Sequence, residues 1–334
     1  MKNWTRMACL LLGAGLAFAS AAQAEAEQAK GGEAKSVAAG VRAGTVVDIK
    51  PNRIYLMDVE HAGDRLVAVG ERGFTLVSDD AGKTWKAVGT PVVRALTGVA
   101  FNGDKVGVAV GHGGSLVRTE DGGNSWTEVP MDEAMGESLL GVTALGDGKF
   151  AAYGAFGMYF DSVDGGKSWT KRTILSEEFE NHISQVVPVN GVLWLVGEYG
   201  TLARCDAECT AFVEVPSPYT GSFFGMVVAQ DGALVLFGMR GSIYRSADAG
   251  ATWQEVAVET TASFNGGRVL SDGRILLVGN AGLVATSTDN GQTFKIEWSP
   301  AGKGLSAVAE TAGGLVVVGE AGVGMLDTAA LVTK

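Results

Sequence analysis

Three cysteines, three histidines and seven prolines in 334 residues leave little material for several kinds of chemistry. No H-E-x-x-H pair, closely spaced cysteine quartet, G-x-S-x-G elbow or phosphate-binding Gly-Lys loop occurs, so the usual metal, serine-nucleophile and nucleotide signatures are missing. Positive charge is also short. Lys and Arg number 26 against 37 Asp and Glu, for a formal charge of −11 without any basic run, which excludes a phosphate-neutralising nucleic-acid binder. Proline scarcity, 19% charged residues and 46% hydrophobic residues exclude both a disordered chain and a collagen-like one. Only one apolar run is long, near the N-terminus, and it falls short of the roughly 18 to 20 residues that span a bilayer. Glycine, by contrast, is abundant at 49 residues, about twice ordinary usage.

The apolar run belongs to a secretory signal expected over residues 1–24. Lys2 and Arg6 charge its start, Met7 to Phe18 is nearly continuously apolar, and Ala22-Gln23-Ala24 fits a small-x-small cleavage site. Cys9 lies too early in it for lipid attachment. Cleavage before Glu25 leaves 24 Lys and Arg against 37 acids, an acidic, soluble, periplasmic or secreted protein. Residues 25–43 carry small and charged side chains and are expected to form a flexible leader. Cys205 and Cys209 then remain, four residues apart in an oxidising compartment, and are expected to bond. A redox pair would favour the C-x-x-C spacing.

The glycines recur in order. Gly70-Glu71-Arg72-Gly73, Gly111-His112-Gly113-Gly114, Gly154-Ala155-Phe156-Gly157, Gly197-Glu198-Tyr199-Gly200, Gly238-Met239-Arg240-Gly241, Gly279-Asn280-Ala281-Gly282 and Gly319-Glu320-Ala321-Gly322 are spaced by 41, 43, 43, 41, 41 and 40 residues. Each unit is one supersecondary repeat. Two glycines flanking two residues suit a tight hairpin because they accept positive φ.

Five residues after the second glycine a second pattern, S-x-D-x-G-x-T-W, follows in five units. Its acids are Asp80, Asp121, Asp164, Asp248 and Asp289, and its aromatic residues are Trp85, Trp126, Trp169, Trp253 and Phe294. This Asp-box closes a turn on itself: carboxylate and hydroxyls bond the turn's own backbone while the aromatic ring packs inward. A buried Trp hides on the order of 150–250 Å², about 4–6 kcal/mol of gross apolar transfer. Acids repeated at this period cannot converge on one site, so the box is a staple of the fold. In the fourth unit Cys205, Cys209 and Phe212 occupy its Ser, Gly and Trp positions, which makes the disulfide a substitute for the box hydrogen bonds.

Each unit holds four strand candidates, such as Leu96–Phe101, Val106–Val110, Ser115–Thr119 and Trp126–Val129. A four-stranded antiparallel sheet repeated around an axis is a propeller blade. The fold expected is all-β, a seven-bladed β-propeller over residues 44–330 with a tail at 331–334. A linear solenoid is the competing geometry, but its repeats run nearer 20–30 residues. Because the last unit ends after three strands, the orphan Thr45-Val46-Val47-Asp48-Ile49 is expected to complete it and cover the open edge.

Seven such units with Asp-boxes behind a signal resemble the photosystem II stability and assembly factor family and its relatives in non-photosynthetic bacteria, over about residues 44–330. The resemblance implies a non-enzymatic factor, without cofactor or metal, that holds a membrane-protein intermediate on its propeller face. For bacterial relatives it implies an accessory role at an envelope transporter, an exporter of the resistance-nodulation-division superfamily. Sialidases also carry Asp-boxes, yet they resemble six-bladed propellers with a three-arginine clamp and an F/Y-R-I-P signature. Here the nearest phrase is Asn52-Arg53-Ile54-Tyr55. A glycoside hydrolase or carbohydrate-binding propeller is the alternative, with Arg53, Arg72, Arg94 and Arg240 as its clamp.

In propellers the loop joining the second and third strands and the loop leading into each innermost strand share one face. A partner is expected there, against Arg53, Arg72, Arg94, His112, Phe156, His182, Glu198, Tyr199, Met239, Arg240 and Lys303, residue types found in binding hot spots. The long loops 131–137 and 176–182 concentrate acid around an apolar residue and form an acidic lip that suits a basic segment. His112 and His182 lie two blades apart, too scattered for a strong metal site. Phe223 is assigned to the core.

Overall fold

A computed structural model describes residues 46–47, 50–205, 209 and 211–333. The signal at 1–24, the leader at 25–43, and Thr45, Asp48 and Ile49 of the expected closing strand lie outside the described residues. The described chain forms seven antiparallel sheets, five of them four-stranded. Their innermost strands are Leu56–Ala62, Leu96–Asn102, Leu139–Gly146, Ile183–Val189, Phe223–Val228, Phe264–Val269 and Leu305–Thr311. These strands and the two that follow each are rich in Val, Leu, Ile and Phe, the residues that fill a pleated, buried surface. Successive sheets pack face to face: Ala100, Val108 and Leu116 of the second blade share a core with Leu139, Phe150 and Phe160 of the third. Phe223 is fully buried, as assigned.

The closure differs from the expectation. Val46–Val47 pairs antiparallel with Lys86–Gly89, placing Val46 opposite Val88, and so becomes a fifth strand on the first blade. The seventh blade keeps three strands, ending in Gly322–Leu326. The ring closes instead by side-chain packing, in which Ile54, Leu56 and Leu66 of the first blade bury against Ala309, Val316 and Val318 of the seventh. Pro51 anchors the approach, its carbonyl accepting the Val323 N–H at 3.1 Å. Apolar burial of this kind needs no shared strand, so the hydrogen-bonding edge of the seventh blade is left out of the closure. Beyond it the C-terminal tail turns back, and Val332 exchanges two hydrogen bonds of 2.8 and 3.0 Å with Trp298 on the outer strand of the sixth blade.

The Asp-box works as a self-closing turn. Asp80 Oδ1 accepts the Ser78 hydroxyl at 2.9 Å and the Thr84 N–H at 2.8 Å, while Oδ2 accepts the Thr84 hydroxyl at 2.6 Å. These donors, led by the Thr84 hydroxyl, hold the carboxyl down to about 2. Asp164 and Asp248 are held at about 2 by the equivalent hydroxyls of Ser168 and Thr252. Only Trp126 is fully buried, its indole N–H reaching Thr75 of the preceding blade at 3.2 Å. Trp85 and Trp169 are half-buried and cap their own turns through the carbonyls of Gly82 and Gly166. Each box also leans on the blade before it: a Cβ at Gly82 would meet Val316, and one at Gly166 would meet Val108. Cys205 and Cys209 are bonded, with Cα atoms 5.0 Å apart. Phe212 is buried against Tyr159 of the third blade at 5.4 Å, edge to face.

Arginines complete these inter-blade joints. Arg65 of the first blade donates to the Gly122 carbonyl in the second box at 3.0 Å, Arg118 of the second reaches the Gly165 carbonyl of the third, and Arg245 of the fifth reaches the Asn290 carbonyl of the sixth at 2.8 Å. Arg172 serves the disulfide in the same way, donating to the Cys209 carbonyl at 2.7 Å. The repeat phrase does not contain these residues, so the joints escape a reading based on the repeat alone.

Candidate functional site

Six of the seven Gly-x-x-Gly phrases are single 3-10 turns rather than two-residue hairpins. Only the seventh, where Gly319 pairs with Gly322, is a tight hairpin. The reason is a close approach. Gly70 lies so near the loop leading into its own innermost strand that a Cβ would fall 2.1 Å from the Tyr55 carbonyl oxygen, and the Glu71 N–H donates to that same oxygen at 3.0 Å. The chain then reverses through a left-handed residue, and the next glycine, Gly73, has φ +68 with the Val92 carbonyl against its open side. The left-handed position projects furthest from the face. It is filled by Arg72, Gly113, Phe156, Tyr199, Arg240 and Ala281, with φ between 52 and 67.

These turns and the loops into the innermost strands share one face, opposite the Asp-boxes, which meet the first-to-second-strand hairpins at the other end. Among the residues assigned to the face, Arg53, Arg72, Arg94, His112, Phe156, Tyr199, Arg240 and Lys303 are exposed, and His182, Glu198 and Met239 are half-buried. They divide into two sectors. Phe156 on the third blade stacks edge to face on His182 at 5.2 Å, and His182 Nδ1 stands 3.1 Å from Glu198 Oε2, next to Tyr199 on the fourth blade. The four residues thus form one contiguous group. The arginines lie elsewhere on the rim: Arg72 beside its own Glu71 at 3.7 Å, Arg94 folded over Gly113, and Arg240 on the fifth blade. Arg72 and Arg240 sit on separate turns, and the Arg94 backbone borders the turn that carries Arg72. His112 bonds Ser138 Oγ at 3.0 Å, apart from His182.

The innermost strands line an axial channel of about 470 Å³ that the motif reading missed. All seven strands slip register at the same place, between their first and third residues. Side chains near the slip reach the next blade. Asp58 accepts the Val99 N–H at 2.9 Å, Gln185 accepts the Met226 N–H at 2.7 Å, and the Thr97 and Thr143 hydroxyls donate to the Leu139 and Val186 carbonyls. Asn265 donates to the Leu305 carbonyl at 2.9 Å, and away from the slip His61 Nε2 of the first blade meets the Glu310 carbonyl of the seventh at 2.9 Å. Room comes from glycine: a side chain at Gly225 would obstruct Gln185, and one at Gly98 would press on the backbone of Gly141 and Val142 in the next blade. Glu60 and Arg268 pair across the channel at 2.7 Å. Burial, and secondarily the charge of Glu60, pushes the Asp58 carboxyl up to about 7. The signal was present in Leu56-Met57-Asp58-Val59-Glu60, where two acids interrupt an apolar strand.

Among the described residues no helix is long and apolar enough to cross a membrane. No curated protein sequence matches the chain. Its structure is similar to that of YCF48 bound to a D1 peptide, at TM-score 0.68 and 20% identity over 85% of this chain and 98% of that one. YCF48 from Cyanidioschyzon merolae is similar at TM-score 0.66 and 17% identity, over 84% and 96% of the two chains. The WD40 propeller of Doa1 is similar at TM-score 0.64 and 13% identity, over 85% and 95%; at such identities the likeness is one of fold. By sequence, the family model for the photosynthesis system II assembly factor YCF48 matches twice, over residues 39–157 and 151–306. Sevenfold repeat, Asp-boxes and family match agree, and the chain belongs to the photosynthesis system II assembly factor YCF48 family.

Proposed function

We propose that this protein is a non-enzymatic, polypeptide-binding propeller that scaffolds or stabilises a membrane-protein complex of the cell envelope, from the periplasmic or secreted side. The observation that carries the reading is the ring of left-handed turn tips on one face, where Arg72, Phe156, Tyr199 and Arg240 are held out to solvent. A large L-residue in that conformation costs on the order of 1 kcal/mol, and an exposed ring gains nothing from the core. Aromatic and arginine side chains are the usual anchors of protein interfaces. A structure of YCF48 bound to a D1 peptide supports polypeptide capture by a propeller of this fold. The signal reading of residues 1–24 supports the location, and the family resemblance supports an exporter of the resistance-nodulation-division superfamily as the complex.

Crosslinking in intact cells followed by affinity capture tests the proposal. Recovery of one envelope membrane complex by the parent, reduced for Arg72→Glu with Arg240→Glu at unchanged thermal midpoint, is the expected result. Recovery that ignores those substitutions removes the face from the function. A mature N-terminus found by mass spectrometry elsewhere than Glu25, or retention in the cytoplasm, removes the location.

A further inference from the structure

Three large apolar side chains break the ordinary rule for left-handed residues in the same sector of the face. Met135, Phe156 and Tyr199 each have φ 52, and they are 76%, 53% and 76% exposed. Glycine fills the equivalent turn position in the second blade, Gly113 at φ +67, so the fold itself does not require a ring there. Local packing ties the three into one surface. The Ala155 N–H bonds the Ser138 carbonyl at 2.9 Å, joining the Met135 loop to the Phe156 turn. The Gly157 N–H bonds the Asn181 carbonyl at 3.0 Å, and the Glu198 N–H bonds the His182 carbonyl at 3.0 Å, joining both turns to the next loop.

The loops around this surface are predominantly acidic. Loops 131–137 and 176–182 carry six Asp and Glu and no Lys or Arg, and Glu198 adds a seventh acid. Within the two loops the six acids are all exposed. Of the neighbouring cations, Arg172 is held by Asp161 at 2.7 Å and by the Cys209 carbonyl, and Arg94 lies over Gly113, on the turn that borders loop 131–137, so acid outnumbers base around the surface. Exposed apolar area rimmed by an excess of acid is complementary to a polypeptide with the reverse arrangement.

We infer that the sector formed by Met135, Phe156, His182 and Tyr199 binds an extended polypeptide segment that presents an aromatic or aliphatic anchor flanked by Lys or Arg. This deepens the docking function proposed above and rests on it. Phe156 and Tyr199 clasp the anchor, with His182 between them as the floor. The acidic loops take the flanking cations and reject acidic sequences.

The substitutions Phe156→Gly and Tyr199→Gly separate binding from folding, because glycine suits the left-handed turn. A random peptide library is selected on the purified protein, and the recovered peptides are measured against the parent, the double glycine variant, and Arg72→Glu with Arg240→Glu. The expected peptides carry Lys or Arg beside an aromatic or aliphatic residue and bind more weakly as salt rises. They lose about tenfold or more in affinity on the glycine variant, whose thermal midpoint is no lower than the parent's, and they lose less on the arginine variant. Peptides that are acidic, or that bind the glycine variant as well as the parent, overturn the inference. If such peptides depend on Arg72 and Arg240, docking on this face survives and only the chemistry assigned to this sector fails. If they are indifferent to both variants, the docking function fails with it.

Discussion

Replacing Asp58 with Asn should remove a pH dependence of stability that the parent carries. The carboxylate accepts the Val59 N–H at 2.8 Å and the Val99 N–H at 2.9 Å, but burial and then Glu60 outweigh these bonds and place its titration at about 7 instead of 3.8. The folded chain therefore keeps a proton that the unfolded chain releases. Stability falls as pH rises from about 4 to about 7 and is flat above that, and the displacement corresponds to about 4 kcal/mol as an upper bound. Asn loses one acceptor and carries a constant penalty, which cancels when only the pH slope is compared. Urea unfolding from about pH 4 to about pH 8, with m-values held equal, measures it. The difference between parent and Asp58→Asn should change across that window in favour of the variant. Glu60→Gln should shrink the effect, since the neighbouring negative charge is its second cause. Parallel curves for parent and Asp58→Asn would refute the assignment of a buried, proton-holding carboxyl at the joint between the first and second blades.

Three further outcomes are expected. Trp126→Ala empties a fully buried site and should cost about 3–5 kcal/mol in chemical denaturation; an unchanged midpoint would show that the wedge carries no load. The Asp-box carboxylates at 80, 164 and 248 are held at about 2, below their unfolded value, so their contribution is complete above about pH 4 and fades as pH falls toward 2. Asp164→Asn should flatten that acid limb of the unfolding curve, and a limb of unchanged steepness would count against it. Cys205→Ser with Cys209→Ser opens a loop closed over a separation of 4 residues and should destabilise by about 2 kcal/mol by the chain-entropy relation. Equal stability of parent and variant under non-reducing conditions would mean that the bond adds nothing to the fourth blade.

Much of this molecule was legible in one repeat at a time. The Asp-boxes and the Cys205–Cys209 replacement are determined by residues within a few positions of one another, and hydrogen bonds of that range are written in consecutive sequence. The blade count follows, because each unit buries only half of its apolar surface and must stack on the next. The candidate face was legible as a set of turn residues but not as two sectors. Only the folded ring sets Phe156 on one blade against His182 of the next, whose partner Glu198 precedes Tyr199. The same limit hid the inter-blade links of Asp58, Gln185 and Arg65, whose partners lie 41, 41 and 57 residues away. It also misplaced the closing strand: Val46–Val47 pairs on the outer edge of the first blade, and the first and seventh blades are joined by packing such as that of Leu56 with Val318. Sequence alone thus determined where the turns fall, the boxes, the disulfide and the number of blades, while the 3-10 form of six turns came from their contact with the loops into the innermost strands. Tertiary structure decided the closure, the axial channel and the grouping of the binding surface, since these depend on which side chains meet across blades and not on any one blade's own pattern.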